Sequence, residues 1–172
     1  MLKMFTTQLS GLFLRIHGKE EMEIEDAARL LAQAAVGEGT IFIKGYREMN
    51  GVVSEALTGE EPLQGMREFV DIDELSGTDR VLLVTRRSTD EEALKLGAKL
   101  VEKDIPFVTI CGVVKNSEHD LLSMANVCLN TQVVKGMLPH EDGGRFGFPS
   151  LIAALYLYHG VKFTLEEMVE EY

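Results

Sequence analysis

The chain has 172 residues, 45% hydrophobic and 26% charged, with 28 acidic against 17 basic residues and a formal net charge of −11. That length suits one soluble domain with a buried core. The acidic balance excludes nucleic acid and anionic membrane as natural partners, because a surface of that sign repels them over a Debye length.

Residues 2–17 place Leu2, Phe5, Leu9, Leu12, Phe13 and Ile16 on one helical face, and Gly18 is expected to end that helix. A second helix is expected over 23–36, carrying Ile24, Ala27, Ala28, Leu31, Ala34 and Ala35. The apolar face of these N-terminal helices (1–38) is a candidate dimer interface, and equally ordinary core. No apolar run near the N-terminus matches a signal sequence and no segment approaches a membrane span, so the expected location is the cytoplasm. Strands are expected at 41–43, 68–72, 80–85, 105–110 and 126–129. Helices are expected at 52–57, 90–103, 116–124, 150–159 and 164–171. The strands at 41–43, 81–84 and 105–110 are apolar on both faces, the pattern of a parallel sheet covered on both sides. The expected fold is therefore a single αβα three-layer domain over 1–172, preceded by two helices. Cys111 and Cys128 read as buried free thiols. His17 and His159 are expected at helix ends, where the helix dipole favours them.

Ligands of an open parallel sheet bind beyond the carboxyl ends of its strands, where strand order reverses. Lys44, Arg47, Arg86, Arg87 and Lys115 fall in the loops expected there, five of the 17 basic residues. The stretch VLLVTRRSTDEEAL (81–94) runs from the most apolar strand into two arginines, two hydroxyls and a helix start. Ser88 or Thr89 is the expected N-cap, since Ser88-x-x-Glu91 and Thr89-x-x-Glu92 both fit a capping box. Free amides, hydroxyls and arginines at one helix start form an anion site, with phosphate as the commonest occupant. The alternative is plain capping, with Asp90, Glu91 and Glu92 pairing with Arg86 and Arg87. Gly45 either lets the backbone approach a ligand or only relieves a turn. No GxGxxG and no GxxxxGK[ST] is present, so no dinucleotide or ATP cofactor is expected.

The stretch GTDRVLLVTRRSTDEEALKLGAKLVEKDIPFVTICG (77–112), followed by LLSMANVCLN (121–130), resembles the sugar isomerase (SIS) domain. That resemblance implies an αβα sandwich with a five-stranded parallel sheet in flavodoxin-like order, and phosphosugar binding at the ends of strands one and three. Thr85, Ser88 and Thr89 would be the phosphate-binding hydroxyls, joined by Gly45, Arg47, Arg86 and Arg87. The loop glycine of the family is absent and the loop is shifted by a residue. The segment SEALTG (54–59) is similar to the AELTG segment of phosphoheptose isomerases, whose glutamate is a catalytic base. Here the aligned position is Ala56 and Glu55 stands one place earlier, a rotation of about 100° on a helix.

The glycine-rich segment PHEDGGRFGFPS (139–150), similar to that of a small bacterial family of SIS-like proteins, concentrates His140, Glu141, Asp142 and Arg145. It reads as acid–base chemistry, as a grip on sugar hydroxyls, or as a surface loop. Adjacent residues rarely converge on one ion, so no metal is expected. Three functions stand at this point. One is an aldose/ketose sugar-phosphate isomerase with Glu55, Glu141, His140 or His159 as base. Another is a non-catalytic sugar-phosphate sensor, and the third is a scaffold whose arginines only pair with acids. The partners expected are a sugar phosphate and a second copy of the chain.

Overall fold

The computed structural model describes residues 1–171. Helix α1 (Leu2–Ala35) leads to β1 (Ile41–Gly45), a 3-10 turn at Arg47–Met49 and α2 (Asn50–Thr58). Then come β2 (Arg67–Glu68), β3 (Arg80–Arg87), α3 (Glu91–Glu102), β4 (Phe107–Gly112) and β5 (Val127–Asn130). A small antiparallel hairpin, β6 (Leu138–Pro139) and β7 (Arg145–Phe146), precedes α4 (Ser150–Glu170).

The five main strands are parallel, in the order β2-β1-β3-β4-β5. Alternation along β3 builds the two sides of the core. Leu82 and Val84 turn toward α1, α2 and α4, among Leu12, Ile16, Val52, Ala154 and Leu157. Val81 and Leu83 turn the other way, toward Ala93, Leu96 and Leu100 of α3. Successive side chains of a strand point to opposite faces, so a strand buried on both sides must be apolar throughout. Strand order reverses between β1 and β3, and their carboxyl ends therefore open the crevice where such sheets bind ligands.

Several expected boundaries move. The segments 2–17 and 23–36 are one helix, with Gly18 inside it. No proline interrupts this region, and the intervening Lys19–Met22 are good helix formers. The segments 150–159 and 164–171 likewise fuse into α4. Gly160 lies inside it, where a Cβ would stand 3.2 Å from Ile24 Cδ1 of α1, so the two helices approach closely at this point. His17 and His159 consequently lie in helix interiors, not at ends. The helix expected at 116–124 is absent. Asn116 is left-handed (φ 58°), Asp120 is extended, and Leu121 donates its N–H to Ser88 O, leaving one 3-10 turn at Leu121–Ser123. The strand expected at 68–72 is reduced to β2, with a 3-10 turn at Ile72–Glu74. Cys111 is buried and Cys128 half-buried, both as free thiols with sulfurs 3.9 Å apart.

Candidate functional site

The register of β3 against β4 slips at the crevice: Val84 faces Ile110, but Arg87 faces Gly112. Three residues of β3 thus span two of β4, a β-bulge at Thr85–Arg86. A bulge re-aims side chains at a strand end. Arg86 and Arg87, which a regular strand would send to opposite faces, both line one cleft of about 270 Å³ with Glu48, Phe148, Ser150 and Leu151. Arg86 holds Glu48 with two hydrogen bonds, Nε to Oε1 and Nη2 to Oε2, both 2.7 Å. That pairing holds the Glu48 carboxyl below its usual range. Among the described residues, the Arg87 side chain reaches only the Val134 carbonyl, at 3.5 Å.

The hydroxyl loop is arranged differently from the capping box expected of it. The N-cap of α3 is Asp90, and its side chain does not cap the helix. The carboxylate turns back instead, accepting from Thr85 Oγ1 at 2.6 Å and from the Arg87 N–H at 3.0 Å. Ser88 is fully buried. Its Oγ accepts from the Val114 N–H at 3.0 Å, its N–H donates to Gly112 O, and its carbonyl receives the Leu121 N–H. Ser88 thereby ties the loop before α3 to the end of β4 and to the β4–β5 connection. Thr89 is half-buried beside it. On the α3 side a second cleft of about 240 Å³ is lined by Tyr46, Arg47, Thr85, Asp90, Glu91 and Glu92, three acids against one arginine. Arg47 is exposed there, in the left-handed conformation (φ 54°).

The remaining site candidates are spread out. Gly45 closes β1, and a Cβ on it would stand 2.6 Å from Met49 O and 2.9 Å from Val53 Cγ2, so the 3-10 turn packs directly on it. Glu55 is half-buried on α2, its carboxyl folded over Gly59, and it does not line the arginine cleft. Its field, after burial, helps push the Tyr158 phenol up. Ala56 is fully buried. His140 and Glu141 are exposed in the turn of the β6–β7 hairpin, with His140 Nδ1 2.9 Å from Asp142 Oδ1. Arg145 braces that hairpin by donating to the carbonyls of Gly136 and Met137.

The domain described as "Domain of unknown function (DUF2529)" matches residues 1–169. The chain belongs to the DUF2529 family. It is 40% identical, over all of its length and 99% of the relative's, to "Uncharacterized protein YwjG" of Bacillus subtilis. Among solved structures it is similar to a putative phosphosugar isomerase involved in capsule formation from Bacteroides fragilis. There the TM-score is 0.70 at 18% identity, covering 98% of this chain and 90% of that one. It is also similar to the Vibrio vulnificus NanR protein complexed with ManNAc-6P, with a TM-score of 0.67 at 15% identity, covering 99% and 64%. At these identities the likeness is one of fold, and the fold of this DUF2529 chain is SIS-like.

Of the six residues lining the cleft, Glu48, Phe148, Ser150 and Leu151 are not among the site candidates read from the sequence. Glu48 carries no local signal in the loop after β1, and its pairing with Arg86 spans 38 positions. Phe148 and Ser150 fall within the glycine-rich segment 139–150, one of whose readings is a grip on sugar hydroxyls, but neither is singled out. Among the described residues no helix is long and apolar enough to cross a membrane, and no group of three or more metal-ligating side chains converges.

Proposed function

We propose that this protein binds a phosphorylated sugar in the cleft at the carboxyl ends of β1 and β3, and that a single chain binds without isomerising. The observation that carries the reading is the bulge that brings Arg86 and Arg87 onto one cleft at the reversal of strand order. In an otherwise acidic protein, that is where an anion gains most from a local positive field. Exposed Phe148 on the cleft offers an apolar face to a sugar ring. The fold neighbours include a NanR protein complexed with ManNAc-6P, itself a phosphosugar.

The argument against turnover is chemical. Aldose–ketose exchange needs a base whose proton affinity suits a transfer between neighbouring carbons. The carboxylate in the cleft is Glu48, whose oxygens are both held by Arg86 and whose pKa is lowered, which makes it a poor base. Glu55, Glu141, His140 and His159 do not line the cleft. Isomerase activity would therefore need a base from a second copy of the chain. Met4, Leu14 and Met22, exposed along one side of α1, are the apolar surface such a homodimer would cover.

A thermal-shift and calorimetric panel of pentose, hexose and heptose phosphates tests the reading. At least one is expected to bind, and Arg87→Gln should weaken it about tenfold, the worth of a charge-assisted hydrogen bond. Each binder is then incubated with the protein and scored for its aldose–ketose partner. Turnover that disappears in Glu55→Ala or His140→Ala would replace the sensor reading with the isomerase one. A panel without any binder would leave the arginines as structural pairs.

A further inference from the structure

We propose that the phosphate of the ligand is held at the N-terminus of α4, by Ser150 Oγ, the first amides of α4 and Arg87, and that Asp90 excludes it from the hydroxyl loop before α3. The proposal rests on the phosphosugar reading for the identity of the ligand, but not for the position of the anion.

Both helices begin at the crevice, and both present free N–H groups there, yet their charges are opposite. Asp90, Glu91 and Glu92 stand at the start of α3 and line the cleft in front of it. The donors a phosphate would use in that loop already have an acceptor. The Thr85 hydroxyl and the Arg87 amide both donate to Asp90 Oδ2, so the loop contains its own anion. A phosphate would have to displace that carboxylate and sit among three negative charges, with Arg47 as the one cation among the described residues lining that cleft.

The start of α4 lacks these obstacles. This helix is 21 residues long, has no acidic residue in its first turn, and receives no side-chain cap from Pro149. Its positive dipole end and amides are thus available to an anion. Ser150 adds an independent observation. It is 3% exposed, lines the arginine cleft, and its Oγ has no hydrogen-bond partner among the described residues. A buried hydroxyl without an acceptor is costly, and a phosphate oxygen in the cleft would supply one once the Ser150 side chain, whose Oγ is covered in the structure, rotates toward it. Glu48 is the opposing charge in this cleft, and Arg86 neutralises it through two hydrogen bonds. Arg87, with one weak contact, remains to face the ligand. The cleft's volume of about 270 Å³ is near the lower end for small-molecule sites, roughly 300 Å³.

The test titrates inorganic phosphate into the isotopically labelled full chain and follows the backbone amides by NMR. Amides of residues 150–152 are expected to shift, with those of 91–93 unmoved. Ser150→Ala and Arg87→Gln should each weaken phosphate by about fivefold or more, and Thr85→Val by less than twofold. Asp90→Gly should add a second set of shifts at 91–93. Shifts at 91–93 in the unaltered chain, or no shift at 150–152 with saturating phosphate, overturn the proposal without any variant. Repeating the titration with sugar phosphates separates the two readings. Sugar phosphates no tighter than inorganic phosphate, still mapping to 150–152, would sink the phosphosugar reading and leave the anion site. Tight sugar phosphates mapping to 91–93 would do the reverse.

Discussion

Arg86 and Glu48 meet in a two-pronged ion pair across the mouth of the crevice, with both nitrogen–oxygen separations at 2.7 Å. The pair joins the strand that supplies the arginines to the turn after β1. Both side chains are about a third exposed, at 38% and 32%. Solvent screening therefore limits its contribution to stability to about 1 kcal/mol or less. Its second effect is on the cleft, where it holds one arginine away from any ligand.

Glu48→Gln separates those effects. The folded-state pKa of Glu48 is depressed, mainly by the Arg86 hydrogen bond. Its stabilisation is therefore present above the ordinary carboxylate pKa and lost as pH falls through the lower folded value. Urea denaturation should show the variant slightly weaker than wild type at pH 7 and equal to it in acid. Phosphate affinity should rise severalfold, because a negative charge leaves the cleft and Arg86 is released. A fall in affinity would mean that Glu48 positions Arg86 for the ligand.

Gly45 admits a similar separation. A Cβ there would sit 2.6 Å from the Met49 carbonyl oxygen, and backbone cannot yield as a flexible side chain would. Gly45→Ala should cost about 1–3 kcal/mol by overpacking, read as a lower denaturation midpoint. Phosphate binding per folded molecule should persist. Weakened binding with unchanged stability would return Gly45 to the ligand site.

The parts legible in the sequence were those where one local signal decides. The apolar run Val81–Val84 reads as a strand covered on both faces, and the helix expected at 90–103 is present, packing Ala93, Leu96, Gly97 and Leu100 against the sheet. Boundaries failed where a local rule met a longer-range contact. Gly18 breaks isolated helices, but here α1 packs along the sheet and α4, and that packing carries the helix through. Asn116–Met124 has helical spacing, but its Leu121 amide is claimed by Ser88 O across the crevice. The site was half legible for the same reason. Two adjacent arginines after a strand are visible in one line of sequence. The bulge that aims both at one cleft, the Glu48 partner and the self-filled loop at Asp90 depend on register and on residues far apart in sequence.

Gly18→Ala tests the continuous first helix directly. Nothing lies within 4 Å of a Cβ placed on Gly18, and its backbone is helical. Alanine there should stabilise by up to about 1 kcal/mol, the helix-propensity difference, or roughly 2–4 °C in Tm for a chain of this size. A hinge at Gly18 with a left-handed backbone would give the opposite sign.

Glu20, two residues on, gives a prediction with a pH signature. It is 7% exposed, and its Oε2 accepts from the Asn130 N–H at 3.0 Å, fastening α1 to the end of β5. Burial dominates over that hydrogen bond and raises its pKa above 4.5. An acid with a raised folded pKa binds its proton more tightly when folded. Stability linked to it is therefore full below 4.5 and is lost as pH rises through the folded value. Glu20→Gln keeps a carbonyl oxygen for the Asn130 amide and removes the buried charge. Its Tm should exceed that of wild type at pH 7, and the gap should close as pH is lowered toward 4.5. A variant less stable than wild type at pH 7 would show that the charge itself is needed, with the Asn130 amide hydrogen bond outweighing the cost of burial.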